Sequence, residues 1–250
     1  MKKKLCLFLA LILVLSLAAC GKEPEVGGEV APNEQLFDTI PAGAVQEKEP
    51  DVQEEESDVQ EKDLSLGRME GGVYTNEYAG FTCSLDTNWT FLSAVELQQV
   101  PASVSDAISG SELADALEGI QQFMDMQAEN VNDLTSMNVL YQKMSMQERL
   151  LYAAMSEEQV LENILTQQDM LTEAYAQAGI IVSSMTVVKV NFLGQERYAM
   201  RTEATIQDVP YYILQLYDVN LGAYSVTTTV ASFIEDQTES LLNLFQPLAQ

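Results

Sequence analysis

The stretch Val188–Val230, VKVNFLGQERYAMRTEATIQDVPYYILQLYDVNLGAYSVTTTV, decides the fold class of this chain. Val188, Val190 and Phe192 alternate with other residues, as do Tyr198, Met200, Thr202, Ala204 and Ile206. A period of two places one set of side chains on one face of a strand, so each run predicts a strand with a buried face. Tyr211 to Tyr217 is apolar on both faces and predicts a central strand. Tyr224, Val226, Thr228 and Val230 supply a fourth.

Working outward from this meander, Ser156 followed by Gln159 is a capping box and opens a helix that stops near Gly179. Its residues Val160, Leu161, Ile164, Leu165, Leu171, Ala174, Tyr175 and Ala178 form one stripe, as on a helix lying across a sheet. A last helix is expected around Glu235 to Phe245, ending before Pro247. Upstream, Phe123–Ala128 and Met137–Met144 read as strands around a turn at Asn132 and Asp133. Residues 93–122 read as helical with a break at Gly110, because Leu113, Ala116 and Leu117 fall at helical spacing. Tyr74–Asn76 lead through Tyr78, Ala79 and Gly80 into Phe81–Leu85, a hairpin opening the sheet. Strands in hairpins with helices between and after them imply an α+β domain over residues 72–250, an antiparallel β-sheet flanked by helices.

The residues Tyr74, Asn76, Gly80, Phe81, Ser84, Leu85 and Trp89 resemble the opening of domains related to PsbP, the extrinsic photosystem subunit. Many such domains occur in bacterial lipoproteins, and the resemblance implies a PsbP-like layered sandwich. The family pattern has a Pro and a Gly shortly before the Trp, where this chain has Asp86 and Asn88. Asn tolerates the left-handed conformation a Gly would take, so the turn is expected to survive. One fold serves unrelated tasks, so the resemblance assigns no activity.

The amino-terminal part reads differently. Lys2, Lys3 and Lys4 precede the charge-free run Leu5–Ala19, a signal-peptide pattern over residues 1–19. The run has 15 residues, short of the ~20 a spanning helix needs. Leu17, Ala18, Ala19 and Cys20 resemble the lipobox of bacterial lipoprotein precursors, and the resemblance implies cleavage before Cys20 and acylation of its thiol. Two acyl chains anchor stably where one is marginal, at ~0.8 kcal/mol per buried CH₂. The expected location is therefore the cell membrane, lipid-anchored on its extracytoplasmic face. Residues 20–71 form the acidic linker: 21–70 carry 15 acids against four bases, with Pro24, Pro32, Pro41 and Pro50, a composition that does not fold. A seven-residue unit recurs at Val45, Val52 and Val59, each followed by Gln-Glu. With one apolar residue per unit and Pro50 between copies it is a spacer, not a coiled coil.

Composition excludes several functions. Without the leader, nine bases face 38 acids, a charge of −29. Nucleic-acid binding needs clustered Lys and Arg, which are absent. There is no His, which removes Ser/His/Asp and Cys/His catalysis and His-ligated zinc. Cys6 leaves with the leader and Cys20 carries lipid, so Cys83 has no disulfide partner and reads as a buried strand thiol. No D-x-[DN]-x-[DN]-G calcium loop is present. Met124/Met126 and Met144/Met146 are spaced i, i+2; on a strand such pairs share one face, and core packing is preferred over a Cu(I) site. Trp89, Tyr211 and Tyr212 are candidate platform aromatics, with Trp89 expected beneath the first turn. The sequence thus assigns Cys20 as the lipid-attachment residue and assigns no catalytic residue, metal ligand or cofactor. The expected function is a non-catalytic binding or accessory module that contacts the membrane through its lipid and an envelope protein or ligand. The alternatives are cation capture (Ca or Cu) and, behind it, a carboxylate-based hydrolase with two close acids in a cleft.

Overall fold

The computed structural model describes residues 64–97, 99, 113, 117, 119–219 and 221–248. Among these, strands β1 (Arg68–Glu70), β2 (Val73–Asn76), β3 (Phe81–Ser84) and β4 (Thr90–Ser93) are short. Strands β5 (Gln122–Asn130) and β6 (Thr135–Lys143) are followed by helices α1 (Met146–Ala153), α2 (Glu157–Leu165) and α3 (Gln168–Gln177). The long strands β7 (Ile180–Phe192), β8 (Gln195–Ile206), β9 (Val209–Asp218) and β10 (Tyr224–Phe233) then meander, before helix α4 (Thr238–Leu242) and strand β11 (Phe245–Pro247). A seven-stranded sheet has the order β4-β5-β6-β10-β9-β8-β7, and a four-stranded sheet the order β1-β2-β3-β11. The strand pairs are antiparallel.

Alternation along the strands divides the large sheet into two buried faces. From β6, β9 and β10, Met137, Val139, Tyr141, Leu214, Leu216, Val226 and Val230 join one core with Tyr74, Phe81, Cys83 and Phe245 of the small sheet and Leu241 and Leu242 of α4. The small sheet therefore covers that face. On the opposite face Leu140, Met200 and Tyr217 pack with Val160, Leu161, Ile164 and Leu171 of α2 and α3, while Tyr211, Ile213 and Phe233 pack with Tyr175. Each of these large side chains contributes ~1.5–3 kcal/mol by leaving water. As expected, Tyr211–Tyr217 is an interior strand with both faces buried, between β8 and β10.

Local chemistry accounts for the boundaries. The β2–β3 hairpin turns at Gly80, whose φ of +81° suits glycine, with its N–H donating to the Asn76 carbonyl at 2.9 Å. The β5–β6 turn is held by Asn130 Oδ1, which accepts from the amides of Asn132 and Asp133. The capping box opening α2 is present in full, with Gln159 N–H donating to Ser156 Oγ and Ser156 N–H to Gln159 Oε1. The single helix expected from Ser156 to Gly179 is two, because the chain turns at Thr166, whose hydroxyl donates back to the Asn163 carbonyl at 2.6 Å. Helix α1 was not expected. It opens on a second capping box, Ser145 with Glu148, yet buries none of its residues, so no apolar stripe marks it.

Four further expectations are corrected. Helices α2 and α3 cover one face, whereas the other is covered mainly by the small sheet with only the short α4 beside it, so the flanking layers are not both helical. The fold begins before Gly72: Leu66 is buried and β1 pairs with β2 through Arg68↔Thr75. The closing helix ends at Leu242, and Phe245–Pro247 pairs with β3 instead, an edge position where the missing N–H of Pro247 is tolerated. Of the helical segment expected over 93–122, Ser93 and Gln122 are strand residues, Leu113 is helical, Leu113 and Leu117 are buried, and much of the interior lies outside the described residues. The leader and most of the linker, with Cys20, lie outside them too.

Phe245 meets Phe81 edge-on at 5.2 Å and Phe192 at 5.7 Å. Phe245→Ala should therefore cost ~3–5 kcal/mol in equilibrium unfolding by denaturant. A loss below ~1 kcal/mol would show that β11 does not close the core.

Candidate functional site

Among the described residues, the one carboxylate fully inside the core is that of Asp125. Strand β5 bulges between Met124, opposite Leu140, and Met126, opposite Val139, and Asp125 is the extra residue. The bulge sends the two methionines to different cores, Met126 to the small-sheet side and Met124 to the helix side. The expectation that they share a face fails for this reason. Asp125 is 1% exposed, and its carboxylate accepts from Gly67 N–H at 3.1 and 2.9 Å, from Asn76 Nδ2 at 3.2 Å and from the Tyr74 hydroxyl. Asn76 Nδ2 also donates to Tyr141 Oη at 2.8 Å, and its Oδ1 accepts from Ala79 N–H at 2.7 Å. The Tyr141 hydroxyl reaches the Ser65 carbonyl at 3.2 Å.

No cation is among these partners, and that sets the electrostatics. Burial pushes the Asp125 carboxyl up to about 6, against the hydrogen bonds from Tyr74, Gly67 and Asn76, which favour the ionised form. Burial, and then the neighbouring Asp125 charge, hold the Tyr74 and Tyr141 phenols well above the ordinary tyrosine range. Gly67 fits because it has no side chain: a Cβ there would stand 2.2 Å from Tyr74 Cε2.

A second feature lies on the opposite face, where α1, α2 and α3 meet the sheet. Met144, Tyr152, Val160, Ile164, Leu171 and Tyr217 line a narrow groove with Gln142, Gln167, Ser225 and Thr227 as its hydrogen-bonding groups. It adjoins a pocket of about 220 Å³ that shares Val160, Tyr217 and Val219 and ends at Arg197. Arg197 bridges Glu157 at 2.6 Å and Asp218 at 2.8 Å. Although burial opposes its charge, Asp218 and Glu157 raise its affinity for a proton. Farther along the same face Gln127, Asn138, Thr229 and Gln215 stand side by side across four strands and are buried. Of this face, Asn138 Nδ2, Ser136 Oγ and Thr202 Oγ1 have no hydrogen-bond partner among the described residues.

Other expectations resolve individually. Cys83 is a buried strand thiol as expected, pushed up to about 12 by burial, with Sγ 3.6 Å from Met137 Sδ. Met144 is buried after β6 and Met146 is exposed on α1, so that pair is not one strand face either. Trp89 packs partly buried against the small-sheet core, but Tyr211 is fully buried, so it is no part of an exposed platform. Asn88 does not take a left-handed conformation; Asp86 holds the turn by accepting from Asn88 N–H at 2.9 Å. Among the described residues no three Cys, Asp or Glu side chains gather as a metal site would require. Asp125 and Gly67 went unnoticed in the sequence, although their partners Tyr74 and Asn76 stand in the opening motif.

Gly67→Ala should cost ~1–3 kcal/mol in equilibrium unfolding, because the added methyl must displace the Tyr74 ring. An unchanged denaturation midpoint would mean that the Gly67 contact with Tyr74 is not a tight one.

No protein-family model matches the chain, and no curated protein matches it in sequence. Among solved structures the chain is similar to the solution structure of cyanobacterial PsbP (CyanoP) from Synechocystis sp. PCC 6803, at 9% identity and a TM-score of 0.40, over 74% of this chain and 94% of that one.

Proposed function

We propose that this chain is an exported lipoprotein, acylated at Cys20 and held on the extracytoplasmic face of the cell membrane, whose folded domain binds an envelope protein or ligand without catalysing a reaction. The observation that carries the anchor is the placement of Leu17-Ala18-Ala19-Cys20 at the end of a charge-free run behind three lysines. Among the described residues no helix is long and apolar enough to cross a membrane, so the lipid would supply the attachment. The binding role is supported by the helix-side groove. Its walls are apolar, and most of its polar groups are carboxamides and hydroxyls, which recognise a ligand by hydrogen bonding. Of the acids beside it, Glu157 and Asp218 are engaged by Arg197 and Glu148 caps α1. The PsbP-like reading of the opening motif belongs to this proposal as its fold component, with Asn76 closing the hairpin and Gly80 turning it.

Two measurements test it. In a bacterial host fed labelled palmitate, the wild type should take up label and Cys20→Ser should not. Label on the serine variant, or on neither protein, would refute the anchor. A photo-crosslinking residue placed at Gln167 in the groove should give discrete adducts in intact cells, whereas one at Glu70 on the small sheet should not. Equal adducts from both positions would refute the groove as the binding surface.

A further inference from the structure

The Asp125 cluster joins the first described segment, residues 64–70, to the large sheet. Its other fastenings are the buried Leu66, the partly buried Leu64 and Met69, the Ser65 carbonyl that accepts from the Tyr141 hydroxyl at 3.2 Å, the three-residue pairing of β1 with β2, and the half-exposed and therefore weak ion pair of Arg68 with Glu77. The carboxylate holds it through both oxygens on the Gly67 amide.

We propose that Asp125 is a proton-operated latch: with the proton on, residues 64–70 stay shut on the sheet, and with the proton off that segment opens more often. This inference does not rest on the proposed anchor or groove. The groups facing the carboxylate are the Gly67 amide from the segment itself, Tyr74 and Asn76 from β2, and, from β6, Tyr141 next to Asn76, with Tyr78 stacked on Tyr141 at 5.6 Å. Among the described residues no Lys, Arg or second carboxylate joins them. Tyr74 and Tyr141 keep their protons throughout, because burial raises both. Asp125 is therefore the group that changes charge near neutrality.

The sign follows from comparing the shut and open forms. Shut, the carboxyl is out of water and holds its proton up to about 6; open, it meets water and has the ordinary value near 3.8. The shut form binds the proton more tightly, so falling pH favours it. As pH rises through that interval the shut form carries a buried charge without a counter-ion, and opening gains. With those two values the opening equilibrium rises about ten-fold between about pH 5 and 7.5.

Hydrogen exchange on the full chain in detergent micelles, corrected for intrinsic pH dependence, tests this with β8–β9 amides as the internal reference. In the wild type the relative protection of Gly67 and the β1–β2 amides should fall about ten-fold from about pH 5 to 7.5, and in Asp125→Asn it should be flat. A flat wild type, or an asparagine variant with the same slope, would overturn the latch. Should Asp125→Asn fail to fold, carbon NMR of the wild-type carboxyl decides. A midpoint near 6 shared with the Gly67 amide supports the proposal, and a midpoint near 4, or one the amide does not follow, overturns it.

Discussion

The large sheet has no face it can leave in water. Strands β6, β9 and β10 send apolar side chains to both sides, so the sheet must be covered twice, and this requirement arranges everything else. Helices α2 and α3 cover one side. The other is covered by residues from the two ends of the described chain, since β1–β3 precede the long strands and β11 follows them. A cover built from such distant segments needs fastening, and a purely apolar contact would fix neither its register nor its depth. Asp125 supplies a directional fastening, at the cost of burying a charge that only dipoles compensate.

Much of the sheet was legible because its signals are local. Alternation over β7 to β10, the Ser156–Gln159 capping box and the hairpin at Gly80 each lie within a few residues. What was illegible depends on distant partners. Phe245–Pro247 reads as the end of a helix until β3 is present to receive it. Asp125 looks like one polar residue in a methionine-bearing strand; its meaning comes from Gly67, 58 positions away, and from Tyr74, 51 away. The bulge that admits it also undid the period-two reading of Met124 and Met126. Helix α1 left no trace in the apolar pattern because it buries nothing.

The two faces offer different chemistry. On the small-sheet side Tyr74, Asn76 and the Gly67 amide satisfy the Asp125 carboxylate. On the helix side a groove bordered by a loosely packed α1 leads to the Arg197 ion-pair cluster, and a buried row of carboxamides and hydroxyls lies farther along the sheet. A sheet anchored firmly on one face can present the other to a ligand without losing its register. Six bases in residues 64–250, mostly engaged by acids, leave the domain's surface strongly anionic. Such a surface repels anionic lipid headgroups and nucleic-acid phosphates electrostatically.

Residues 64–71 are part of the folded core and not the end of the linker. Equilibrium unfolding of a chain beginning at Leu64, compared with one beginning at Gly72, tests this most directly. The longer chain should unfold in one cooperative transition. The shorter one, having lost Leu66 and the Gly67 amide that Asp125 accepts, should lose several kcal/mol or the transition itself. Equal midpoints and slopes for the two would show that residues 64–71 lie outside the folded core.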